Sequence, residues 1–458
     1  VFKRFLIFLQ GVIEKMIGNQ DIKNAVGLNV AISDDMADAL ELWSDMYINE
    51  PPWKTTDDIV KIRTMGIPSL IASEVARMVT IENKIDISGS VRADFIKSQI
   101  SPLLAELRKS TEYACALGGI VFKPYVNKDN IEIDIVQADC FFPISFNARG
   151  EITQAAFVET KTLGKTIFKR IELHRFDNVY TITNKAFRSM DADSLGREIP
   201  LENVEDWADI EPVITFAGVD KPFFSYFAMP LANTIDTHSP IGVSIYSRAA
   251  ELIEQADKQY SRLLWEMEAT EAAVDADISA TEYNAMPELQ KRLFRNIKTG
   301  DTKLYEPYLP NIRDVSQINA LNELLMRIED TCGIARGTIS NVENVAKTAT
   351  EIKILKQRTY ATVVDTQKAL QTAIENTVYA IDALATYYKL APAGKYEISC
   401  EWDDSTIVDI EQEFARRLQL VSSGLLKGEN FISWYFGCDE KTALAEFMPT
   451  KTAVLEGD

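Results

Sequence analysis

The chain has 458 residues and a mass of 51.5 kDa, with 48 Lys and Arg against 68 Asp and Glu, a formal net charge of −20 at pH 7. An apolar share of 46% and a charged share of 25% are those of an ordinary folded chain, which excludes wholesale disorder. The acidic excess argues against free-standing sequence-specific DNA binding, and the two histidines exclude a His-rich metal site.

Five cysteines, an odd number without a CxxC pair, suit free thiols in a reducing compartment. Lys3 and Arg4 precede a short apolar run, Phe5 to Leu9, that poorly matches a signal peptide. No uncharged apolar run approaches the ~18 residues that span a bilayer. A soluble protein, intracellular at synthesis and without a membrane partner, is expected.

In chain order, Ser33 caps a helix carrying Met36, Ala39, Leu40, Trp43 and Met46 at helical spacing, which Pro51-Pro52-Trp53 ends. Ser69 opens a second helix with Leu70, Val75, Met78 and Val79 on one side. A third is expected from Pro102 to Leu117, proline at its start and Gly118-Gly119 at its end. The apolar pattern then becomes alternating. Ile120 to Val126 and Ile131 to Ile135, with Asn127-Lys128-Asp129-Asn130 between, read as a hairpin. Further strands at Phe142 to Phe146, Ile152 to Thr160, Thr166 to His174 and Val179 to Thr183 continue it as one antiparallel meander. With the preceding helices this makes an α+β domain.

Ser239 caps and Pro240 opens a long helix. Its apolar residues Ile245, Ala249, Leu252, Ala256, Tyr260, Leu263 and Met267 form a stripe ~45 Å long. Residues 271–312 interrupt the helical pattern, with acids at Glu271, Asp275, Asp277 and Glu282 and prolines at Pro287, Pro307 and Pro310. A returning helix carries Ile318, Leu321, Leu325, Ile328 and Cys332 and ends at Gly333. Gly333 to Lys347 is small, polar and aperiodic, hence a slack loop.

Thr348 and Glu351 then supply a capping box for the longest helix. Its stripe, Ile352, Leu355, Thr359, Val363, Thr366, Leu370, Ala373, Thr377, Ala380, Leu384 and Tyr387, runs ~60 Å before Pro392 and Gly394 stop it. A stripe that long is difficult to bury within one subunit, so neighbouring copies are expected to cover it. Tyr396 to Trp402 reads as a strand, Thr406 to Val421 and Asp439 to Phe447 as short helices.

Little of this points to catalysis. Gly164-Lys165-Thr166 has the end of a phosphate loop, but position 159 holds Glu159 where that motif needs glycine, and the tripeptide sits in a strand-to-strand turn. His174 is expected as a partly exposed strand residue and His238 as structural. The adjacent acids Asp34-Asp35, Asp57-Asp58, Asp403-Asp404 and Asp439-Glu440 mostly stand where helices begin, complementing the helix dipole. Sequence neighbours point to different sides and seldom share a metal. No enzyme activity, cofactor or metal is expected. Arg336, Lys347, Lys353, Lys356 and Arg358 make the only modest concentration of positive charge.

The order of parts resembles the portal proteins of tailed bacteriophages, in the branch found in phages of low-GC Gram-positive hosts. The likeness is carried by Leu42-Trp43-Ser44-Asp45-Met46-Tyr47 with Pro52-Trp53, Phe142-Pro143-Ile144 with Arg149-Gly150-Glu151-Ile152, and Pro240-Ile241-Gly242-Val243-Ser244. It continues in Thr348-Ala349-Thr350-Glu351-Ile352 and in Tyr396-Glu397-Ile398 to Asp403-Asp404-Ser405.

The resemblance implies a mixed wing at 1–237, stem helices at 238–270 and 313–333, a small α/β clip at 271–312, a tunnel loop at 334–348, and a long helix with a mainly helical crown at 349–458. It implies a ring of about twelve copies at one capsid vertex, assembled in the host cytoplasm, through which double-stranded DNA is packaged and ejected. Implied partners are the large terminase, which is the motor ATPase, the major capsid or scaffold protein, and the head–tail adaptor. The clip, with acids Glu271, Asp275, Asp277 and Glu282, would meet the motor and the adaptor. In the tunnel loop Thr338, Ser340, Asn341 and Asn344 would touch phosphates without charge, and Arg336 and Lys347 would add brief ion contacts. A net-acidic conduit with few cations suits DNA that must slide. The rival readings are an acidic metal-dependent nuclease using the 271–282 acids or Asp403-Asp404, and another phage structural part such as a capsid or scaffold protein.

Overall fold

The computed structural model describes residues 19–56, 61–81, 83–177, 179–191, 194–269, 273–277, 294–297, 305–308, 313–341, 349–402 and 410–436. Two compact units divide it, Val1–Cys400 and Glu401–Asp458. Helices and mainly antiparallel sheets are mixed, an α+β fold.

Among the described residues, the first elements of the larger unit are α1 (Asn19–Val26) and α2 (Asp34–Tyr47). Ser33 caps α2 as expected, its hydroxyl accepting from the Met36 amide at 3.3 Å, and Met36, Leu40, Trp43 and Met46 are buried. Helix α3 (Ile67–Thr80) starts two residues before the expected Ser69: Gly66, at φ +72°, turns the chain, Pro68 fits the first turn, and Leu70 is exposed. Strand β1 (Asn83–Ser88) follows.

The expected helix from Pro102 is instead two, α4 (Val91–Ala105) and α5 (Leu107–Leu117). Ser90 caps α4, and Pro102 lies inside it, four residues before the break at Glu106. Proline there removes one helical hydrogen bond, which the surrounding packing of Ile96, Ile100 and Leu103 tolerates.

The expected single meander is two sheets. Strands β2 (Gly119–Asn127) and β3 (Asn130–Gln137) form the expected hairpin around Lys128, which takes φ +56°. The chain then lays down β4 (Phe141–Phe146), β5 (Ile152–Leu163), β6 (Thr166–Phe176), β7 (Tyr180–Ser189) and β8 (Arg197–Ile199) in that order across a second sheet, with β9 (Val213–Phe216) also on β7. Strand β10 (Ser225–Ala228) returns to pair with β2. Gly164, at φ +67°, makes the β5–β6 turn, so Gly164-Lys165-Thr166 is a hairpin turn.

Between the sheets lies a buried ionic network that corrects the reading of His174. Its side chain is buried, Nε2 2.6 Å from Glu172 Oε1 and Nδ1 2.5 Å from the Tyr180 hydroxyl. Glu172 also accepts from Lys123 of β2 (3.0 Å) and Arg170 (2.9 Å). Burial pushes the Glu172 carboxyl up, but Lys123 and Arg170 outweigh it and hold it well below the usual range; burial lowers His174.

A further correction concerns the first long helix. Residues from Ser239 to Tyr246 are not helical, and α6 spans only Ala250–Ala269. Gly242 crosses Gly118 so closely that a Cβ on either would collide with the other's carbonyl, and the Ile245 amide donates to Cys115 O at 2.9 Å. Those backbone contacts outcompete the helix that Ser239-Pro240 suggests.

Beyond α6, β11 (Ala273–Asp277) pairs in parallel with β12 (Phe294–Ile297) and antiparallel with β13 (Tyr305–Tyr308). The chain returns in α7 (Asp314–Cys332), which packs along α6; Arg313 Nε donates to Glu266 Oε1 at 2.9 Å and Gln317 Nε2 to Glu266 Oε2 at 3.1 Å, tying the two ends.

Helix α8 (Ala349–Tyr387) runs 39 residues. Its stripe from Thr359 to Leu384 is buried within this unit, against α3, α4, β2 and β10, rather than left for neighbours. The Ser225 hydroxyl donates to Ala373 O at 2.8 Å, and the buried Arg92 of α4 donates to Asp382 Oδ1 at 2.7 Å and Ala391 O at 3.0 Å. Strand β14 (Glu397–Trp402) pairs with β1.

In the smaller unit, α9 (Ile410–Ser422) corresponds to the helix expected from Thr406, while α10 (Gly428–Phe436) was not signalled by a cap or stripe. Phe414 meets Phe431 and Tyr435 with ring centroids 5.2 and 5.1 Å apart. The helix expected at Asp439 to Phe447 lies outside the described residues.

Candidate functional site

The chemistry concentrates where α7 ends, the polar loop begins and α8 passes. Gly333 at φ +72° ends α7, its amide donating to Asp330 O (3.4 Å) and that of Ile334 to Glu329 O (3.0 Å). The chain then reverses and runs back along α7.

The Glu329 carboxylate, fully buried, holds this reversal. Oε1 accepts from the amides of Gly337 (3.1 Å), Ile339 (2.6 Å) and Ser340 (3.0 Å), and Oε2 from the Ser340 hydroxyl (2.6 Å). Successive backbone N–H groups thus make a nest around one internal anion. Seven residues earlier, two helical turns along the same face, Asn322 Oδ1 accepts from the Asn341 amide (2.7 Å) and its Nδ2 donates to Asn341 O (2.8 Å). The described part of the loop, 334–341, is therefore braced rather than slack.

Asp330, the next residue, faces outward. Arg336 grips it with Nε 3.2 Å from both carboxylate oxygens and Nη2 2.6 Å from Oδ2; Arg358 of α8 adds Nη1 at 2.8 Å from Oδ1. The hydrogen bond from Arg336 holds the Asp330 carboxyl below its usual range. Thr362 of α8 donates to Gly333 O at 2.9 Å, so loop and long helix meet at one point. The neighbouring Cys332 thiol is pushed up to about 12 by burial, leaving it unreactive.

Of the residues singled out in the loop, Arg336 and Asn341 are exposed. Thr338 is half-buried, its hydroxyl donating to Ala335 O at 2.6 Å. Ser340 is buried, and in the isolated chain its hydroxyl is occupied by Glu329 instead of facing a phosphate. Asn344 and Lys347 lie outside the described residues, as do Glu271 and Glu282; Asp275 and Asp277 are on β11. Sequence reasoning missed Asn322, Glu329 and Asp330, whose only signal is a polar face at α7's end ahead of a glycine-punctuated loop. Among the described residues no group of His, Cys, Asp or Glu is placed to hold a metal ion, and no helix is long and apolar enough to cross a membrane.

No curated protein matches the sequence. Among solved structures, a chain from the neck of a native GTA particle, computed with C12 symmetry, is similar at a TM-score of 0.44 and 11% identity, over 92% of this chain and 99% of that one. A family model described as phage portal protein, SPP1 Gp6-like, matches residues 105–449, which include the second sheet, the paired helices, the braced loop and α8. With well over half of its length matched, the chain belongs to the SPP1 Gp6-like phage portal proteins.

Proposed function

We propose that copies of this chain close into a ring of about twelve at one capsid vertex and form the conduit through which double-stranded DNA is packaged and later ejected. The single observation that carries this reading is the family match spanning α6, β11–β13, α7 and the loop that joins α7 to α8. The proposed division keeps 1–237 as wing, 238–270 and 313–333 as stem, 271–312 as clip, 334–348 as tunnel loop and 349–458 as long helix and crown.

Exposed Trp265, Met267, Val315 and Ile318, on the ends of α6 and α7 beside residues 271–312, support assembly: four large apolar side chains in water gain from being covered by a neighbouring copy. The clip, with Asp275 and Asp277 on its central strand, is the proposed dock for the terminase motor and afterwards for the head–tail adaptor. The capsid or scaffold protein is the proposed partner of the outer surface. Arg336, Thr338 and Asn341 are the proposed phosphate contacts, with Asn344 and Lys347 further along the loop. The role is structural, a conduit whose energy comes from a separate motor.

Negative-stain electron microscopy of the purified protein tests the reading. Closed rings with a central hole are expected; shells, or a monodisperse 51.5 kDa species at micromolar concentration, would overturn it.

A further inference from the structure

Two guanidiniums share one carboxylate at the loop's base. Arg336 comes from the loop and Arg358 from α8, and both meet Asp330 at 2.6 to 3.2 Å. Their side chains are 44% and 54% exposed, that of Asp330 32%. The cluster carries one cation more than it has anions. The neighbouring acids do not occupy the two guanidiniums: the Glu329 oxygens are turned inward and taken by loop donors, and Glu323 is paired with Arg327 at 3.0 Å.

We infer that Arg336, Arg358 and Asp330 form an exchangeable phosphate site, in which a backbone phosphate of double-stranded DNA replaces the Asp330 carboxylate between the two guanidiniums. A carboxylate and a phosphodiester present similar paired oxygens to an arginine fork, so one substitutes for the other without moving the arginines far. The resident carboxylate is the device that keeps the contact weak. A phosphate must displace it on arrival, and it reclaims the arginines on departure, so sliding DNA is touched but not trapped. The buried Glu329 brace keeps the loop's base in place throughout, because its donors take no part in the exchange.

The inference rests on the reading of this loop as DNA-facing, and the experiment separates the two. Assembled protein is titrated with a random-sequence DNA duplex at several salt concentrations, for wild type, Asp330→Asn, and Arg336→Gln with Arg358→Gln. Asp330→Asn is expected to bind roughly tenfold tighter and with a steeper salt dependence, since fewer internal anions compete with phosphate. The double arginine variant is expected to bind more weakly with a shallower salt slope. If the arginine variant weakens binding while Asp330→Asn does not tighten it, exchange fails and the DNA-facing reading stands. If the arginine variant binds like wild type, the DNA-facing role of this site fails as well. Hydrogen exchange over 334–341 is the control: Asp330→Asn should leave protection intact, and its loss would make Asp330 a structural support, overturning the inference.

Discussion

Helix α8 and the pair α6–α7 carry the same kind of sequence and meet opposite fates. Both show apolar residues at threes and fours over many turns. On α8, Val363, Leu370, Ile374, Ile381 and Leu384 are covered by the unit's own sheet and helices. On the pair, Ile253, Ala256, Leu263, Leu321 and Ile328 are buried, yet Trp265 is 66% exposed and Val315 65%. An apolar stripe says that something must cover it; whether that is the same chain or another copy depends on what the fold brings alongside. From Thr359 to Leu384 the stripe of the longest helix leaves no such surface, though Tyr387 at its end is 51% exposed and the side chains of Ile352 and Leu355 lie outside the described residues. Large apolar side chains stand exposed at the far ends of the shorter two.

That contrast can be broken most forcefully at Ile374. Replacing this fully buried side chain with aspartate puts an unpaired charge against the sheet and should cost more than ~4 kcal/mol, seen as loss of cooperative denaturant unfolding or of soluble protein. A variant as stable as wild type would mean that α8 does not pack where it is placed.

A smaller effect is expected from pH. Burial lowers His174, so the unfolded chain takes up its proton more readily than the folded one. Stability should therefore fall as pH drops through the ordinary histidine value of 6.5, and His174→Gln should flatten that step. A further loss on acidification below 4.5 belongs to Glu172, whose folded carboxyl is held well below that value. Identical thermal unfolding of wild type and His174→Gln from pH 7 to 5 would contradict the network.

The smallest effect on the subunit should come from Trp265→Ser. In the single chain this removes mostly exposed surface and should change stability by no more than ~0.5 kcal/mol, while ring formation measured by light scattering weakens. Unfolding of the subunit itself would show that Trp265 is internally packed.

Much of the fold was legible from local chemistry. Ser33 over Met36, the Asn127–Asn130 turn and the glycine stop at Gly333 stand where capping and turn preferences put them. The misreadings share a cause. Pro102 and Ser239-Pro240 read locally as helix starts, but tertiary packing tolerates the first inside α4, and the Gly118–Gly242 crossing keeps the second out of a helix. The splitting of one meander into two sheets depends on β10 returning to β2 from about a hundred residues away in sequence, which no short-range pattern reports. In the candidate site the loop's composition was readable, whereas its brace was not: Glu329 and Asp330 are identical in charge, and only the chain reversal turns one inward and leaves the other between two arginines.

By itself, then, the sequence determined those elements that local signals mark and the family they make, since periodicity, caps and turn residues act over a few positions at a time. Which stripe is covered, which of two adjacent acids is buried, and which histidine lies between sheets were decided by the tertiary structure, because each depends on groups far apart along the chain being brought within a few ångströms.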